Sequence, residues 1–158
     1  MRVLVCTALK QEYELIERAA EQFEQQHFVQ LKLTCCSNGN DFYRLQMETR
    51  FDILFVCLSG AVGQELSIQA KKIQPDGKIV WVSDDPIFAV AAYRIQVSCF
   101  LLRPVSVAQL CETLFRCCLS DTDAPSSLLA PKASQISVCT EKPRHAIKMK
   151  RKRERKME

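Results

Sequence analysis

The sequence is poor in the residue pattern that builds metal centres. It contains two histidines, His27 and His145, and its nine cysteines include no C-x-x-C pair. Structural zinc sites usually need four Cys or His ligands, commonly with pairs at such a spacing. We therefore expect no metal site and no other cofactor. The odd number of cysteines and their apolar neighbours also argue against a disulfide framework.

The chain also lacks a long apolar run. No segment approaches the roughly 18 consecutive apolar residues that a membrane-spanning helix needs. The first residues, MRVLVCTALKQEYE, become charged too early for a secretory signal peptide. Since 47% of the residues are hydrophobic and 25% are charged, the composition is that of a globular protein. We therefore expect a cytoplasmic protein without a membrane partner.

Charge is distributed unevenly along the chain. Residues 1–139 contain 13 Lys and Arg against 15 Asp and Glu, whereas residues 140–158 contain 9 against 3. The stretch 120–139 is rich in Ser, Ala and Pro, which is typical of a linker. We predict a folded domain over residues 1–119, a linker over 120–139 and a basic, disordered tail over 140–158.

Within residues 1–119, short apolar runs alternate with helical patterns. The predicted strands are 2–7, 29–37, 51–58, 78–83 and 97–104. The predicted helices are 8–26, 41–50, 60–73, 84–95 and 106–119. Repeated strand–helix units imply a parallel sheet with helices on both faces. Five strands in a domain of this size predict a flavodoxin-like, doubly wound α/β fold with strand order 2-1-3-4-5.

This winding predicts where a functional site lies. The carboxyl ends of the first and third strands border the ligand crevice of such a sheet. Cys6, Cys57 and Ser83 each stand at the end of a predicted strand. We therefore expect these three side chains near one pocket.

Residues 83–106, SDDPIFAVAAYRIQVSCFLLRPVS, carry the most specific pattern in the chain. They resemble the fourth- to fifth-strand segment of response-regulator receiver domains attached to LytTR DNA-binding domains. The fifth strand of that group typically reads YLLKP, and here it is FLLRP (100–104). The strand FDILFVCL (51–58) is similar to the receiver strand that ends in L-D-I. The resemblance covers roughly residues 1–119 and implies a CheY-like receiver of a two-component phosphorelay.

The chain departs from this family at the residues that carry its chemistry. Cys6 and Thr7 stand where a working receiver has the acidic pair that holds magnesium, and Cys57 stands where it has the phosphoaccepting aspartate. Arg103 replaces the lysine before the family's proline, while a hydroxyl residue remains at the end of the fourth strand. The resemblance thus implies a degenerate phosphorylation pocket made of Cys6, Thr7, Cys57, Ser83, Arg103 and Pro104.

These replacements have a chemical consequence. Phosphoryl transfer needs a carboxylate acceptor and a divalent cation that neutralises the phosphate oxygens. Magnesium prefers hard oxygen ligands, whereas a thiol is soft and mostly protonated at neutral pH. We therefore predict a pseudo-receiver that is not an enzyme, is not phosphorylated, and acts through protein contacts in signalling or transcription regulation. Cys57 is then a small apolar filler.

The resemblance also implies a surface for partners. In receivers, the face formed by the fourth helix, the fifth strand and the fifth helix commonly makes dimers and other protein contacts. We expect this face to bind a second copy or another protein, with ordinary core packing of its residues as an equal alternative. Its candidate residues are Phe88, Tyr93, Ile95 and Phe100.

Three alternatives remain open at this point. The basic tail is a candidate for weak, non-specific binding to DNA or another nucleic acid. A thiol-based redox sensor is a second alternative, if Cys6 and Cys57 approach each other and Arg103 lowers a thiol pKa. The third is a remnant of a longer regulator without retained activity. The nucleic-acid candidates are Lys148, Lys150, Arg151, Lys152, Arg153, Arg155 and Lys156.

Two side chains of the pocket have more ordinary roles as well. Arg103 is expected to be a capping or solvated charge at a strand end. A salt bridge to Asp84 or Asp85, or a bound anion, is the alternative. For Ser83, hydrogen bonding to the local backbone is expected.

Overall fold

A computed structural model describes residues 1–119, so the predicted linker and tail lie outside the described residues. The strands are β1 (Arg2–Cys6), β2 (Lys32–Cys36), β3 (Ile53–Val56), β4 (Lys78–Ser83) and β5 (Cys99–Leu102). The helices are α1 (Lys10–His27), α2 (Gly39–Glu48), α3 (Gly60–Ile73), α4 (Ala89–Ile95) and α5 (Val107–Leu119). None of these helices within residues 1–119 is both long and apolar enough to cross a membrane.

The five strands form one parallel sheet in the order β2-β1-β3-β4-β5. The predicted flavodoxin-like winding is therefore confirmed. β2 lies at one edge, as expected from its mixed polar and apolar residues, and its burial is correspondingly incomplete. The three inner strands are buried along nearly their whole length because helices cover both faces of the sheet.

Alternation along the strands separates two apolar clusters, one on each face of the sheet. On one face, Val5, Phe55 and Cys57 pack with residues of α1 and α5. On the other face, Cys6 and Trp81 pack with residues of α2, α3 and α4. Since successive strand residues point to opposite faces, this alternation decides which cysteines can meet.

Several element boundaries differ from the sequence prediction; β3 and β5, for example, are shorter than the predicted 51–58 and 97–104. Two differences have a clear local cause. The helix predicted over residues 84–95 begins with a 3-10 turn, Pro86–Phe88, before α4. The preceding Asp85 is extended, as residues before proline tend to be, and its carboxylate accepts a hydrogen bond from the Ile87 amide at 2.9 Å. The strand predicted from residue 29 begins only at Lys32, because Phe28 ends α1 in a left-handed conformation.

Candidate functional site

Arg103 occupies the centre of the crevice at the carboxyl ends of the strands. It directly follows β5, its amide donates to the Ser83 carbonyl at 3.0 Å, and its peptide bond to Pro104 is cis. Its side chain is only 17% exposed. The side chain is therefore not a solvated charge, although it does cap a strand end, because it donates to the carbonyl of Cys57 after β3.

Glu12 holds the guanidinium from the α1 side of the crevice. Arg103 Nε lies 2.8 Å from Glu12 Oε1, and Nη2 lies 3.1 Å from Oε2, so the pair is bidentate. The Thr7 hydroxyl donates to Glu12 Oε2 at 2.7 Å, and the Glu12 side chain is 12% exposed. Such a pair fixes both position and orientation, which a lysine point charge does not do.

Sequence reasoning did not find Glu12. It lies in the first turn of α1, five residues after Thr7, in a helix with several other glutamates. An acidic residue in a first helical turn is commonly explained by the helix dipole alone. The one sequence feature that pointed to Glu12 was its separation of five residues from Thr7, which places it in the first helical turn after β1.

The opposite side of the guanidinium faces the loops after β3 and β4. Arg103 Nη1 lies 3.3 Å from Asp84 Oδ1 and donates to the Ser59 hydroxyl oxygen at 2.9 Å. Ser59 in turn donates to Asp84 Oδ2 at 2.7 Å, and Arg103 Nη2 donates to the Cys57 carbonyl. The salt bridge to Asp84, considered as an alternative from the sequence, is thus present.

Together these contacts surround one cation with oxygen atoms. The partners of the guanidinium are the carboxylates of Glu12 and Asp84, the Ser59 hydroxyl and the Cys57 carbonyl. Carboxylate, hydroxyl and carbonyl oxygens are also the ligands that a hard divalent cation takes. The guanidinium of Arg103 thus neutralises carboxylates and binds oxygen atoms of the kind that a divalent cation would require.

Electrostatics keep this cluster charged at neutral pH. The hydrogen bonds to Glu12, more than any other effect, raise the pKa of Arg103 above its ordinary value. The pKa of Asp84 is held below its usual value, first by the hydrogen bond from Ser59 and then by the charge of Arg103. Both shifts favour the charged forms, so both partners of the Arg103–Asp84 ion pair are charged at neutral pH.

Cys57 lies beneath the cluster and is buried. Burial raises the pKa of its thiol well above the ordinary value, and the charge of Glu12 adds to that shift. The charge of Arg103 lowers this thiol pKa, as considered from the sequence, but burial and Glu12 outweigh it, so the pKa is raised overall. Cys57 is thus a protonated thiol at neutral pH, which favours its predicted role as an apolar filler.

The proposed redox pair of Cys6 and Cys57 is not formed. The Cys57 amide bonds the Cys6 carbonyl at 2.9 Å, so the backbones are neighbours, but the two side chains belong to clusters on opposite faces of the sheet. Cys6 instead lies beside Cys36, its register partner on β2. Contact with the Cys6 thiol is the main reason why the pKa of Cys36 is raised.

The remaining pocket residues have local roles. Thr7 is buried at the crevice and orients Glu12. The Ser83 hydroxyl accepts a hydrogen bond from the Asp85 amide at 3.2 Å, as expected for local backbone bonding. Pro104 lines a groove of about 910 Å³ that opens beside Glu12 and Arg103, with Leu9 and Val105 among its walls. No group of three or more Cys, His, Asp and Glu within residues 1–119 is placed to hold a metal ion.

The predicted partner face is only partly exposed. Phe88 and Phe100 pack against Trp81, with ring centroids 5.6 and 5.4 Å apart, so they are mainly core residues. Ile95 is half-buried, whereas Tyr93 is 63% exposed. Two further apolar residues before Tyr93 are also exposed, one of them three residues earlier on α4 and the other in the 3-10 turn that precedes α4. We call this set, Ile87, Val90 and Tyr93, the α4 stripe.

The basic residues predicted to contact nucleic acid, from Lys148 to Lys156, lie outside the described residues. Weak DNA binding by the tail therefore stays a prediction. A gel shift that weakens with salt and disappears on removal of residues 140–158 would support it.

Comparisons with known proteins bear on the fold. No protein-family model matches the chain, and no curated protein matches it significantly. Among solved structures, it is similar to the response regulatory domain of mrkE from Klebsiella pneumoniae, with a TM-score of 0.63 and 15% identity over 73% of this chain and 93% of that one. It is also similar to HP1043, an orphan response regulator of H. pylori, with a TM-score of 0.62 and 16% identity over 74% and 95%.

A third similar structure is a response regulator from Burkholderia pseudomallei. Its TM-score is 0.55, with 18% identity over 73% of this chain and 65% of that one. That protein was solved with a phosphorylated aspartic acid, a calcium ion and citrate. Since all three identities are below one fifth, the likeness establishes the receiver fold of this chain and nothing finer.

Proposed function

We propose, from the receiver fold, that this chain is a pseudo-receiver of the LytTR response-regulator type that takes up no phosphoryl group. It acts through protein contacts in signalling or transcription regulation. The observation that carries the proposal is the bidentate pair between Arg103 and Glu12, 2.8 and 3.1 Å long, in the crevice where a receiver holds its metal and phosphoryl group.

Two chemical requirements of phosphorylation are unmet in this arrangement. The acceptor position after β3 holds the protonated thiol of Cys57 rather than a carboxylate. The carboxylates that do reach the crevice, Glu12 and Asp84, are both bound to Arg103. A divalent cation would have to displace a bidentate guanidinium before it could neutralise an incoming phosphate.

The side chains between the crevice and the surface of α4 are also held in place by their own contacts. The Ser83 hydroxyl is bound to the backbone of Asp85, at the start of the segment that leads into α4. The aromatic rings of Phe88 and Phe100 are packed on Trp81 below that segment. We therefore propose that the α4 stripe is presented in one constant arrangement to a second copy of this chain or another protein.

Phosphoryl uptake tests the proposal directly. The full chain is incubated with acetyl phosphate and magnesium, and its intact mass is measured. We expect no stable gain of one phosphate. The variant Cys57→Asp, which supplies the missing carboxylate, is expected to remain unmodified as well, because Arg103 still binds Glu12 and Asp84.

A stable phosphate adduct on the wild-type chain would refute the proposal. An adduct on Cys57→Asp alone would show that the acceptor is the only missing part, and that the guanidinium does not block the crevice.

A further inference from the structure

A second group of exposed apolar side chains lies at the end of the sheet opposite to the crevice. It is formed by the first residue of the chain, the residue that ends α1 and two residues in the last half of α5. We call this set, Met1, Phe28, Phe115 and Leu119, the basal patch.

Contacts around these residues bring them to one region of the domain. The Phe115 ring lies 5.4 Å from the ring of His27, the neighbour of Phe28. The Met1 amino group donates to the Gln30 carbonyl at 2.7 Å, two residues beyond Phe28. Leu119 follows Phe115 by one helical turn on α5 and thus lies on the same side of that helix.

Phe28 is the most unusual member of the basal patch. Its φ of 56° places it in the left-handed region, where glycine or asparagine normally ends a helix. Its amide bonds the Glu24 carbonyl at 2.9 Å, so the conformation is a regular helix end. The residue, however, is 95% exposed, so its ring contributes almost no buried apolar area to the described domain. A large exposed ring, on a backbone conformation that disfavours bulky residues, points to a contact outside the described residues.

The position of Leu119 indicates what this contact is. Leu119 is the last described residue and belongs to the basal patch itself. The next residues, 120–127, contain no large apolar side chain, and the first ones after them are the adjacent Leu128 and Leu129. We propose that Leu128 and Leu129 of the same chain cover the basal patch.

Chain length permits this contact. The nine steps from Leu119 to Leu128 span up to about 30 Å when extended. Because the segment is tethered at the patch, its effective concentration there is far above that of a second molecule in solution. This is the argument for the chain's own segment over a second copy.

Trypsin cleavage of the full chain measures the contact. Lys132 is the first trypsin site after Arg116, and Arg144 provides an internal reference in the same digest. If Leu128 and Leu129 are bound, cleavage after Lys132 is slowed relative to cleavage after Arg144. Phe28→Asn keeps a residue that tolerates the left-handed backbone but removes the ring. We expect it to speed cleavage after Lys132 by several-fold.

A variant on the other side of the contact completes the test. Leu128→Ser with Leu129→Ser is expected to produce the same several-fold increase, and combining it with Phe28→Asn is expected to add nothing further. Met47→Asn, which changes an exposed residue on α2, is the matched control and is expected to have no effect.

Two results would overturn the inference. One is an equal cleavage ratio in the wild-type chain and in Phe28→Asn. The other is a dimer in sedimentation velocity that Phe28→Asn dissociates while Leu128→Ser with Leu129→Ser leaves it intact, since the occupant would then be a second copy.

Discussion

The crevice and the α4 stripe lie in one small domain but differ in how their side chains are satisfied. In the crevice, the guanidinium of Arg103 is bound by Glu12, Asp84, Ser59 and the Cys57 carbonyl. In the α4 stripe, by contrast, three large apolar side chains are exposed, two on α4 and one in the 3-10 turn before it. The charged groups of the crevice are thus paired with one another, whereas the apolar side chains of the α4 stripe are exposed. This difference is the basis of our proposal that the chain takes up no phosphoryl group and acts through a contact surface.

The largest expected effect comes from Gly63, which supports the crevice from α3. A Cβ atom at this position would lie 1.9 Å from the Leu58 carbonyl oxygen and 2.6 Å from Trp81 Nε1. Neither neighbour can move easily, because the Leu58 oxygen belongs to the backbone and the Trp81 ring is fully buried. We expect Gly63→Ala to lower the free energy of unfolding by about 3 kcal/mol, as measured by urea denaturation.

Gly60 supplies the matched control for this prediction. Its φ is +68° and nothing lies within 4 Å of a built Cβ, so Gly60→Asn should cost about 1 kcal/mol or less. Equal losses in the two variants would mean that the close approach of α3 to Leu58 does not matter.

The second largest effect is expected from removal of the internal cation. Arg103→Met leaves the mostly buried carboxylate of Glu12 without its main partner, which should cost about 1–3 kcal/mol in unfolding free energy. Arg44→Met, which breaks exposed bridges to Asp41 and Glu48 on α2, should cost no more than about 1 kcal/mol. If Arg103→Met is as mild as Arg44→Met, the crevice is not held by this ion pair.

A smaller effect is expected from acid. Because the pKa of Asp84 is lower in the folded chain, its carboxylate stabilises the fold above its ordinary pKa of about 3.9. That contribution is lost as the pH falls through the folded-state pKa. Urea midpoints at about pH 5 and about pH 3 should therefore differ slightly less in Asp84→Asn than in the wild-type chain.

Asp76→Asn provides the comparison for this acid effect. The Asp76 carboxylate lies 3.9 Å from Arg50, both being exposed, so this substitution removes a surface carboxylate without touching the crevice. An identical response in wild type and Asp84→Asn would contradict a role for Asp84 in holding Arg103.

The smallest effect on stability is expected at the α4 stripe. Val90→Ser with Tyr93→Ser changes two exposed residues and should alter the unfolding free energy by no more than about 0.5 kcal/mol. If the stripe forms a homodimer, the same variant should sediment as a monomer under conditions in which the wild-type chain is dimeric, and Met47→Ser should remain dimeric. A wild-type chain that is monomeric at all concentrations would contradict the homodimer.

The order of the strands in the sheet could be predicted from the sequence, because five apolar strands alternate with helices and the connections between them are short. The common edge at which parallel strands end was also sufficient to place Cys57 at the crevice, whereas Thr7 and Arg103 were assigned there by the family resemblance. The sequence did not predict Glu12, because contacts across 91 positions leave no local pattern in a helix rich in glutamate. It misjudged Cys6, since neighbouring strand ends do not say which face each side chain takes. Phe100 was assigned to the partner face from the family resemblance, but its ring is buried and packs on Trp81.

The most direct test of the closed crevice is a crystal structure of the full chain soaked with magnesium and beryllofluoride, a mimic of a phosphoryl group. Our account predicts an unchanged bidentate pair between Arg103 and Glu12, with neither ion bound in the crevice. A magnesium ion seated between Glu12 and Asp84, with beryllofluoride beside Cys57 and the guanidinium displaced, would contradict it.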